Sequence, residues 1–250
     1  MTQAYVKSEI NNQIATIEFF HPAHNSLPSD ILAKLTTTIT EIGQNEEVLV
    51  IILKSGGDRT FCAGASFKEL INIQDEETGE QFFSGFANVI NAMRKCPKFI
   101  IGRVQGKVVG GGVGLASAMD YCMATNYAAI KLSELNIGIG PFVVGPAVER
   151  KLGVSGMSQI AIDANSFYEA EWARQKGLYA QVFESTEALD EAVEEFAQNL
   201  TNYNPEAVKH MKQMFWRGTE DWDELLMERA KISGKLVLGE FTKEKLKRFK

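Results

Sequence analysis

The chain has 250 residues, of which 45% are hydrophobic, and it carries a formal net charge of -6 at pH 7. This length and composition are typical of a globular domain with a full core, and the acidic balance argues against a nucleic-acid-binding protein, because no surplus of cations neutralises phosphates. The three cysteines and three histidines show no disulfide or metal-ligand spacing, so we expect neither disulfides nor a metal site.

The N-terminal sequence indicates the cellular location that we expect for the protein. Its first ten residues, MTQAYVKSEI, lack the apolar segment of a secretory signal peptide. No apolar stretch approaches the roughly 20 residues that are needed to span a bilayer. The sequence therefore predicts a cytoplasmic protein that has no membrane partner.

Strand and helix patterns alternate in the first part of the chain, which predicts an α/β fold with buried strands. After about residue 143 helical patterns dominate, broken by one short strand. The predicted strands are 5–9, 14–19, 48–53, 99–104, 121–125, 128–132 and 180–183, and the clearest predicted helices are Ser29 to Gly43, a long helix ending at Pro97, 187–200, 205–216 and 222–238.

A glycine cluster, Gly110-Gly111-Gly112-Val113-Gly114, stands between the strand at 99–104 and a helix of small residues. Glycines allow a ligand or another backbone to approach closely, and a helix N-terminus offers unpaired N–H groups with partial positive charge. The cluster thus predicts a donor for a negative oxygen, with tight helix–sheet packing as the alternative. Its spacing fits neither a dinucleotide fingerprint nor a P-loop, and no Gly-x-Ser-x-Gly elbow occurs.

A second turn of small residues, FCAGASFKE at 61–69, follows the strand at 48–53. Read alone, it is a strand-to-helix turn in which Ser66 caps the helix and Glu69 completes a capping box. Two such turns in one chain, however, each have an N–H group to offer to the same oxygen. That pair would be an oxyanion hole, in which one donor contributes about 3 kcal/mol of transition-state stabilisation.

Three segments carry a family resemblance: FCAGASFKE, VQGKVVGGGVGLASAMD and KLSELNIGIGP, in that order and spacing. They resemble the crotonase (enoyl-CoA hydratase/isomerase) superfamily, and the likeness covers nearly the whole chain. The resemblance implies a crotonase-like spiral of ββα turns over residues 1–195. It also implies a helical region at 196–250 that assembles a homotrimer or a hexamer, a dimer of trimers. The implied substrate is an acyl-CoA thioester, with coenzyme A as part of the substrate and no separate cofactor.

The same resemblance assigns the catalytic groups. It implies that the N–H groups of Ala65 and Gly111 polarise the thioester carbonyl and stabilise an enolate. Family hydratases have two glutamates, whereas this chain has Gly114 at the first position and Glu134 at the second. Glu134 lies between two apolar runs, which favours the burial and raised pKa that an acid/base carboxylate needs; a solvated surface charge is the alternative.

The missing first glutamate, at Gly114, indicates which reaction to expect. Moving a double bond needs one base, whereas adding water is helped by two carboxylates, so we expect enoyl-CoA isomerisation. Hydration of 2-enoyl-CoA is the alternative, in particular if Asp75, Glu76 or Glu77 supplies the second carboxylate. A second alternative is a protein that binds acyl-CoA without turnover.

Substrate-binding residues are implied by the same resemblance. They are Ala23, His24, Ser26, Ala63, Gly64, Ser66, Phe67, Lys68, Gly110 and Pro141. The opening loop, which carries Ala23, His24 and Ser26, is one residue shorter than the family pattern. For His24 and Lys68, the alternative is a solvated surface position without substrate contact. A basic tail either reaches a neighbouring subunit's CoA phosphates or is a solvated end; it comprises Lys243, Lys245, Lys247, Arg248 and Lys250.

Overall fold

A six-stranded sheet forms the centre of the computed structural model, which describes residues 3–247. Its order is β1-β2-β3-β5-β7-β9; β1 and β2 pair antiparallel, and the later neighbours pair parallel. The strands of both sheets are β1 (Tyr5–Asn11), β2 (Ile14–Phe20), β3 (Val50–Ser55), β4 (Thr60–Cys62), β5 (Phe99–Val104), β6 (Lys107–Val109), β7 (Tyr121–Thr125), β8 (Ile130–Lys131) and β9 (Gln181–Phe183).

Helices cover both faces of the large sheet, which explains the continuous apolar runs of β3 and β5. The helices are α1 (Ser29–Gln44), α2 (Phe67–Leu70), α3 (Glu76–Lys95), α4 (Gly111–Ala118), α5 (Gly145–Ile162), α6 (Ala170–Gln175), α7 (Thr186–Leu200), α8 (Pro205–Phe215), α9 (Trp222–Val237) and α10 (Glu240–Lys247). A 3-10 helix spans Glu134–Ile137. No helix formed by residues 3–247 is long and apolar enough to cross a membrane.

The second sheet is small and parallel, with the order β4-β6-β8. Its strands have only two or three residues each. The sequence patterns missed β4 and β6, which intervene between each predicted long strand and its glycine-containing turn. Of the predicted strand at 128–132, only Ile130–Lys131 is observed.

The C-terminal helices fold back onto the same chain. Helix α9 packs against α3, and the backbones touch where Gly79 meets Gly234: a Cβ built on Gly79 would lie 2.8 Å from Gly234 Cα. Helix α10 reaches the 3-10 helix, since the Thr242 hydroxyl donates a hydrogen bond to Gly138 O at 3.1 Å. These contacts place α9 and α10 beside the candidate site. The division at residue 195 and the oligomeric role of 196–250 stay predictions.

Helix starts follow local capping. Ser66 caps α2 as predicted, because its Oγ accepts a hydrogen bond from Glu69 N at 3.3 Å. The second half of the predicted capping box is wrong. The Glu69 carboxylate instead accepts hydrogen bonds from the N–H and hydroxyl of Ser29, at 3.0 and 2.7 Å, and so ties the start of α1 to α2.

Candidate active site

The carboxyl ends of the three short strands meet at one edge of the small sheet. The turn 63–66 follows β4, Gly110 and Gly111 follow β6, and Glu134 comes shortly after β8. The turns are in contact: a Cβ built on Gly64 would lie 3.2 Å from Val109 O and 3.6 Å from Gly111 N. Ligand sites are common at the carboxyl ends of parallel strands. The small sheet thus brings the three sequence motifs together.

Glycine is required in both turns. Gly64 has φ +89° and Gly110 has φ +54°, values that non-glycine residues rarely adopt. A Cβ on Gly110 would also lie 3.2 Å from Glu134 Oε1. These two glycines therefore permit the backbone conformation and leave space for the carboxyl group.

Two backbone N–H groups remain free at this edge. Within residues 3–247, neither Ala65 N nor Gly111 N donates a hydrogen bond. The turn around Ala65 is held by its neighbours: Leu27 N donates to Gly64 O at 2.8 Å, and Ser66 N donates to Leu27 O at 2.9 Å. Gly111 opens α4, where first-turn N–H groups have no partner within the helix. Both residues line one cavity, so two unpaired donors are available to a ligand there.

Glu134 brings a carboxyl group to the same cavity. The residue keeps partial solvent exposure, but its Oε2 is buried and has no hydrogen-bond partner among the described residues. Burial disfavours the ionised form and raises the pKa of Glu134 from 4.5 to about 7. A carboxyl group with this pKa populates both protonation states near neutral pH, as acid/base catalysis requires.

The cavity encloses about 150 Å³ and is mostly apolar. Among the residues that the structure describes, Glu134 is the one titratable side chain in its lining. Aromatic side chains from α3 and the loop before α5 form much of the wall, and α9 contributes Ser233. The lining comprises Ala63, Gly64, Ala65, Phe67, Leu70, Phe82, Phe83, Phe86, Val109, Gly110, Gly111, Ser133, Glu134, Ile137, Ile139, Gly140, Pro141, Phe142, Val143, Val144 and Ser233.

A larger cavity of about 950 Å³ adjoins the first and shares Ala63, Ala65, Phe67 and Phe82 with it. Four further residues singled out in the sequence line this larger cavity: Ala23, Ser26, Ser66 and Lys68. All the predicted binding residues except His24 therefore line one or both of these adjoining cavities.

His24 is the exception. It is exposed and lines a separate depression with Gly57 and Arg59. The opening loop turns sharply at His24 and Asn25, which both have positive φ. The Asn25 side chain holds the turn in place by donating hydrogen bonds to Gly56 O and Thr60 O. His21, which the sequence analysis did not select, lines the larger cavity instead.

Gly114 is buried within α4 and does not line the smaller cavity, which contains Glu134. A Cβ built on Gly114 would lie 2.5 Å from Cγ1 and 2.6 Å from Cβ of Val144. Val144, which is 4% exposed, lines the cavity in its place. The side chain of Val144 therefore fills the space into which any side chain at position 114 would extend.

The acidic alternatives to a second glutamate lie elsewhere. Asp75, Glu76 and Glu77 are exposed at the start of α3, and none of them lines either cavity. Asp75 caps that helix by accepting a hydrogen bond from Thr78 N at 2.8 Å. The stretch is therefore a helix start, and it does not place a second carboxylate beside Glu134.

The basic tail is likewise separate from the cavities. Lys243, Lys245 and Lys247 belong to α10 and line neither one. Arg248 and Lys250 lie outside the described residues. Within residues 3–247, no group of three or more His, Cys, Asp or Glu side chains is arranged to hold a metal ion.

The aromatic wall is what the sequence analysis missed. Phe82, Phe83 and Phe86 fit the apolar periodicity of a long helix, and that pattern does not distinguish core positions from cavity lining. Phe142 follows Pro141 in a segment without regular structure. A cluster of phenylalanines on one helix face was the available signal.

Comparisons with known proteins identify the family of this chain. The family model described as enoyl-CoA hydratase/isomerase matches residues 9–247, and this chain belongs to that family. It is therefore an enzyme of a family that acts on acyl-CoA thioesters.

Individual relatives include proteins of both reaction types. The chain is 30% identical over 243 residues to a short-chain-enoyl-CoA hydratase of Clostridium acetobutylicum, with 96% of this chain and 92% of that protein covered. It is 28% identical over 239 residues to the peroxisomal Delta(3,5)-Delta(2,4)-dienoyl-CoA isomerase of Arabidopsis thaliana, with coverages of 87% and 84%.

The fold agrees with a solved relative. The crystal structure of an enoyl-CoA hydratase from Bacillus halodurans matches with a TM-score of 0.89 at 20% identity, covering 98% of this chain and 99% of that one. The predicted crotonase-type α/β fold is confirmed.

Proposed function

We propose that this enzyme isomerises enoyl-CoA thioesters by moving the double bond from C3–C4 to C2–C3, with Glu134 as its single acid/base group. One observation carries the proposal: Glu134 is the one titratable side chain among the described residues that line the small cavity. Double-bond migration needs one group that removes a proton and returns it. The cavity offers that group together with two free N–H donors.

In the proposed mechanism, the thioester oxygen lies between the N–H groups of Ala65 and Gly111. Both donors then stabilise the negative charge that develops on this oxygen, as in an oxyanion hole. The carboxylate of Glu134 removes a proton from C2, and the electron pair delocalises into a dienolate that ends on the thioester oxygen. Glu134, now protonated, donates its proton to C4 and the double bond forms between C2 and C3. No atom is gained or lost, and the proposed reaction needs no cofactor.

The surroundings of Gly114 support isomerisation over hydration. A second carboxylate there would overlap Val144, and the side chain that fills this space is apolar. An apolar wall offers no hydrogen-bond partner to hold an attacking water. Hydration of 2-enoyl-CoA is the second candidate function, because a relative at 30% identity is named a hydratase.

The larger cavity suits the coenzyme part of the substrate. We propose that Ala23, Ser26, Ser66, Phe67 and Lys68 contact the pantetheine and nucleotide, because these residues line a cavity that opens onto the oxyanion turn at Ala65. We also propose assembly as a homotrimer or a hexamer. Exposed apolar side chains on α8 and α9 support this assembly, namely Met211, Met214, Phe215, Ile232 and Leu236.

The test of the reaction is a paired assay of the purified enzyme. One reaction contains a 3-enoyl-CoA and the other contains the 2-enoyl-CoA of equal length, and products are separated by liquid chromatography. We expect 3-enoyl-CoA to become 2-enoyl-CoA, and 2-enoyl-CoA to yield little 3-hydroxyacyl-CoA. Hydration that is faster than isomerisation would refute the proposal.

A further inference from the structure

We propose, building on the isomerase function above, that the enzyme selects short, uncharged acyl groups of up to about six carbon atoms. Three observations carry this inference: the volume of the cavity that contains Glu134, the side chains that close it, and the charges that its lining lacks. None of them depends on the direction or type of the reaction at C2.

The volume sets the upper limit. The cavity that holds Glu134 and the two free N–H groups encloses about 150 Å³. A dry apolar cavity of about 150 Å³ in another protein holds one benzene molecule, which has six carbon atoms. The adjoining cavity, at about 950 Å³, is several times larger and has polar residues in its lining. A substrate that places its large polar part in the larger cavity therefore has room in the small cavity for a small apolar acyl group.

The wall is closed by side chains that pack on backbone. The ring of Phe86 lies against Gly111, where an added Cβ would overlap it, and Phe86 is 5% exposed. The ring of Phe142 lies against Gly140, with its Cζ 2.6 Å from a Cβ built there. Val144 packs on Gly114 in the same way. Because these groups already fill their space, a longer acyl chain has to displace packed side chains, which costs about 1–3 kcal/mol or more.

The charge of the lining excludes acidic acyl groups. Among residues 3–247, no lysine, arginine or histidine lines the small cavity, and its one carboxyl group is Glu134. A carboxylate on the acyl chain would be buried without a cationic partner, in the same cavity as the carboxyl group of Glu134. The lining therefore favours monocarboxylic over dicarboxylic acyl groups.

Phe142 is the wall residue best suited to a test. It is half-buried on a loop before α5, whereas Phe86 is buried under α4 and its truncation endangers the fold. We expect Phe142→Ala to open the cavity and to shift selectivity toward longer chains. Phe167→Ala is the matched control, because Phe167 is exposed, lines neither cavity and lies outside the helices α8 and α9 of the proposed assembly surface.

The experiment has a binding arm and a turnover arm. Calorimetry with butanoyl-, hexanoyl-, octanoyl- and decanoyl-CoA, which lack the double bond, measures the fit of the chain irrespective of the reaction. Kinetics with 3-enoyl-CoA substrates of equal lengths measures isomerisation. We expect decanoyl-CoA to bind at least about tenfold more weakly than hexanoyl-CoA, a difference of about 1.4 kcal/mol. Glutaryl-CoA should bind at least about tenfold more weakly than pentanoyl-CoA.

The outcomes separate the two proposals. Affinity that rises from hexanoyl- to decanoyl-CoA, or equal binding of glutaryl- and pentanoyl-CoA, would overturn the selectivity. A profile that stays unchanged in Phe142→Ala, with its fold verified by circular dichroism, would overturn the role of Phe142. If short saturated acyl-CoAs bind as expected but no 3-enoyl-CoA is isomerised, the proposed reaction is wrong and the selectivity stands.

Discussion

The two sheets of this protein contribute differently to its proposed activity. The six-stranded sheet contains long buried runs such as β3 and β5, which helices cover on both faces. The three-stranded sheet has strands of two or three residues, yet all three lead into groups that face the small cavity. Short strands that contribute few residues to the core can thus set the geometry of a site. We therefore expect substitutions in the two sheets to affect different measurements, stability for the large sheet and activity for the small one.

The largest expected effect is that of Glu134→Gln, at the end of the small sheet. The amide keeps the shape of the side chain but does not take up the proton, so we expect kcat to fall by about a hundredfold to ten-thousandfold. Affinity for hexanoyl-CoA should change little. Steady-state kinetics and calorimetry measure the two quantities, and Glu195→Gln, on the exposed face of α7, is the control. An activity within a few-fold of the parent would remove Glu134 from the mechanism.

A matched pair of truncations compares the sheets directly. Val108 is fully buried in β6, two residues before Gly110, and Leu53 is fully buried in β3. Leu53→Ala should lower the free energy of unfolding by about 2–5 kcal/mol and leave kcat of the folded protein nearly unchanged. Val108→Ala should cost less stability but lower kcat by up to about a hundredfold, because small displacements of catalytic groups have effects of that size.

Chemical denaturation and kinetics at a temperature where both variants are folded test this pair. If Leu53→Ala lowers kcat as much as Val108→Ala does, the two sheets do not have separate roles.

The two sheets also differ in how well their strands could be predicted from the sequence. The apolar runs of β3 and β5 and the periodicity of α1 and α7 give strong local patterns, and these four elements appear within one or two residues of the predicted bounds. Strands as short as β4 and β6 give no such pattern, because three residues are too few to show an alternation. Their positions follow from tertiary pairing, which the sequence does not display.

In the candidate site, too, local motifs could be recognised in the sequence, whereas contacts between distant residues could not. The motifs identified Ala65, Gly111 and Glu134, and the structure brings all three to one cavity. The sequence did not reveal that Val144 packs against Gly114, a contact between residues that are 30 positions apart in the chain. The sequence likewise assigned His24 to the substrate-binding residues, whereas His21 lines the larger cavity and His24 does not. The hydrogen bonds of Asn25 to Gly56 and Thr60, which hold this loop, join residues that are distant in the sequence.

The contact between Gly114 and Val144 gives the next prediction. The single variant Gly114→Glu supplies the glutamate of the family hydratases, but its side chain would overlap Val144. We therefore expect this variant to lose about 1–3 kcal/mol of stability from overpacking and to gain no hydratase activity. The double variant Gly114→Glu/Val144→Gly provides space for the carboxylate and should recover stability and hydrate 2-enoyl-CoA measurably. Thermal unfolding and the hydration assay test both variants; hydration by the single variant would contradict the steric role of Val144.

A smaller effect is expected from pH. The pKa of Glu134 is raised to about 7, so kcat/KM for isomerisation should rise with pH and level off above about 7, where the free enzyme carries the carboxylate. Because the folded pKa lies above the unfolded one, the contribution of this group to stability falls between about pH 4.5 and 7. Glu134→Gln should remove that decrease, and it should therefore raise the melting temperature more at pH 8 than at pH 4. A flat pH–rate profile from pH 5 to 9 would contradict the assignment.

The central claim is that one carboxyl group, that of Glu134, carries the proton from C2 to C4. Following a deuterium label from C2 tests this claim most directly. A 3-enoyl-CoA with deuterium at both C2 positions is converted in ordinary water, and mass spectrometry and NMR locate deuterium in the product. Glu134 Oε2 is buried and has no hydrogen-bond partner among residues 3–247, so a proton held there has a restricted route to solvent. We predict that a measurable fraction of the product carries deuterium at C4, delivered from C2 by one carboxyl group. A product with no deuterium at C4, together with accumulation of 3-hydroxyacyl-CoA, would contradict a single-base isomerase.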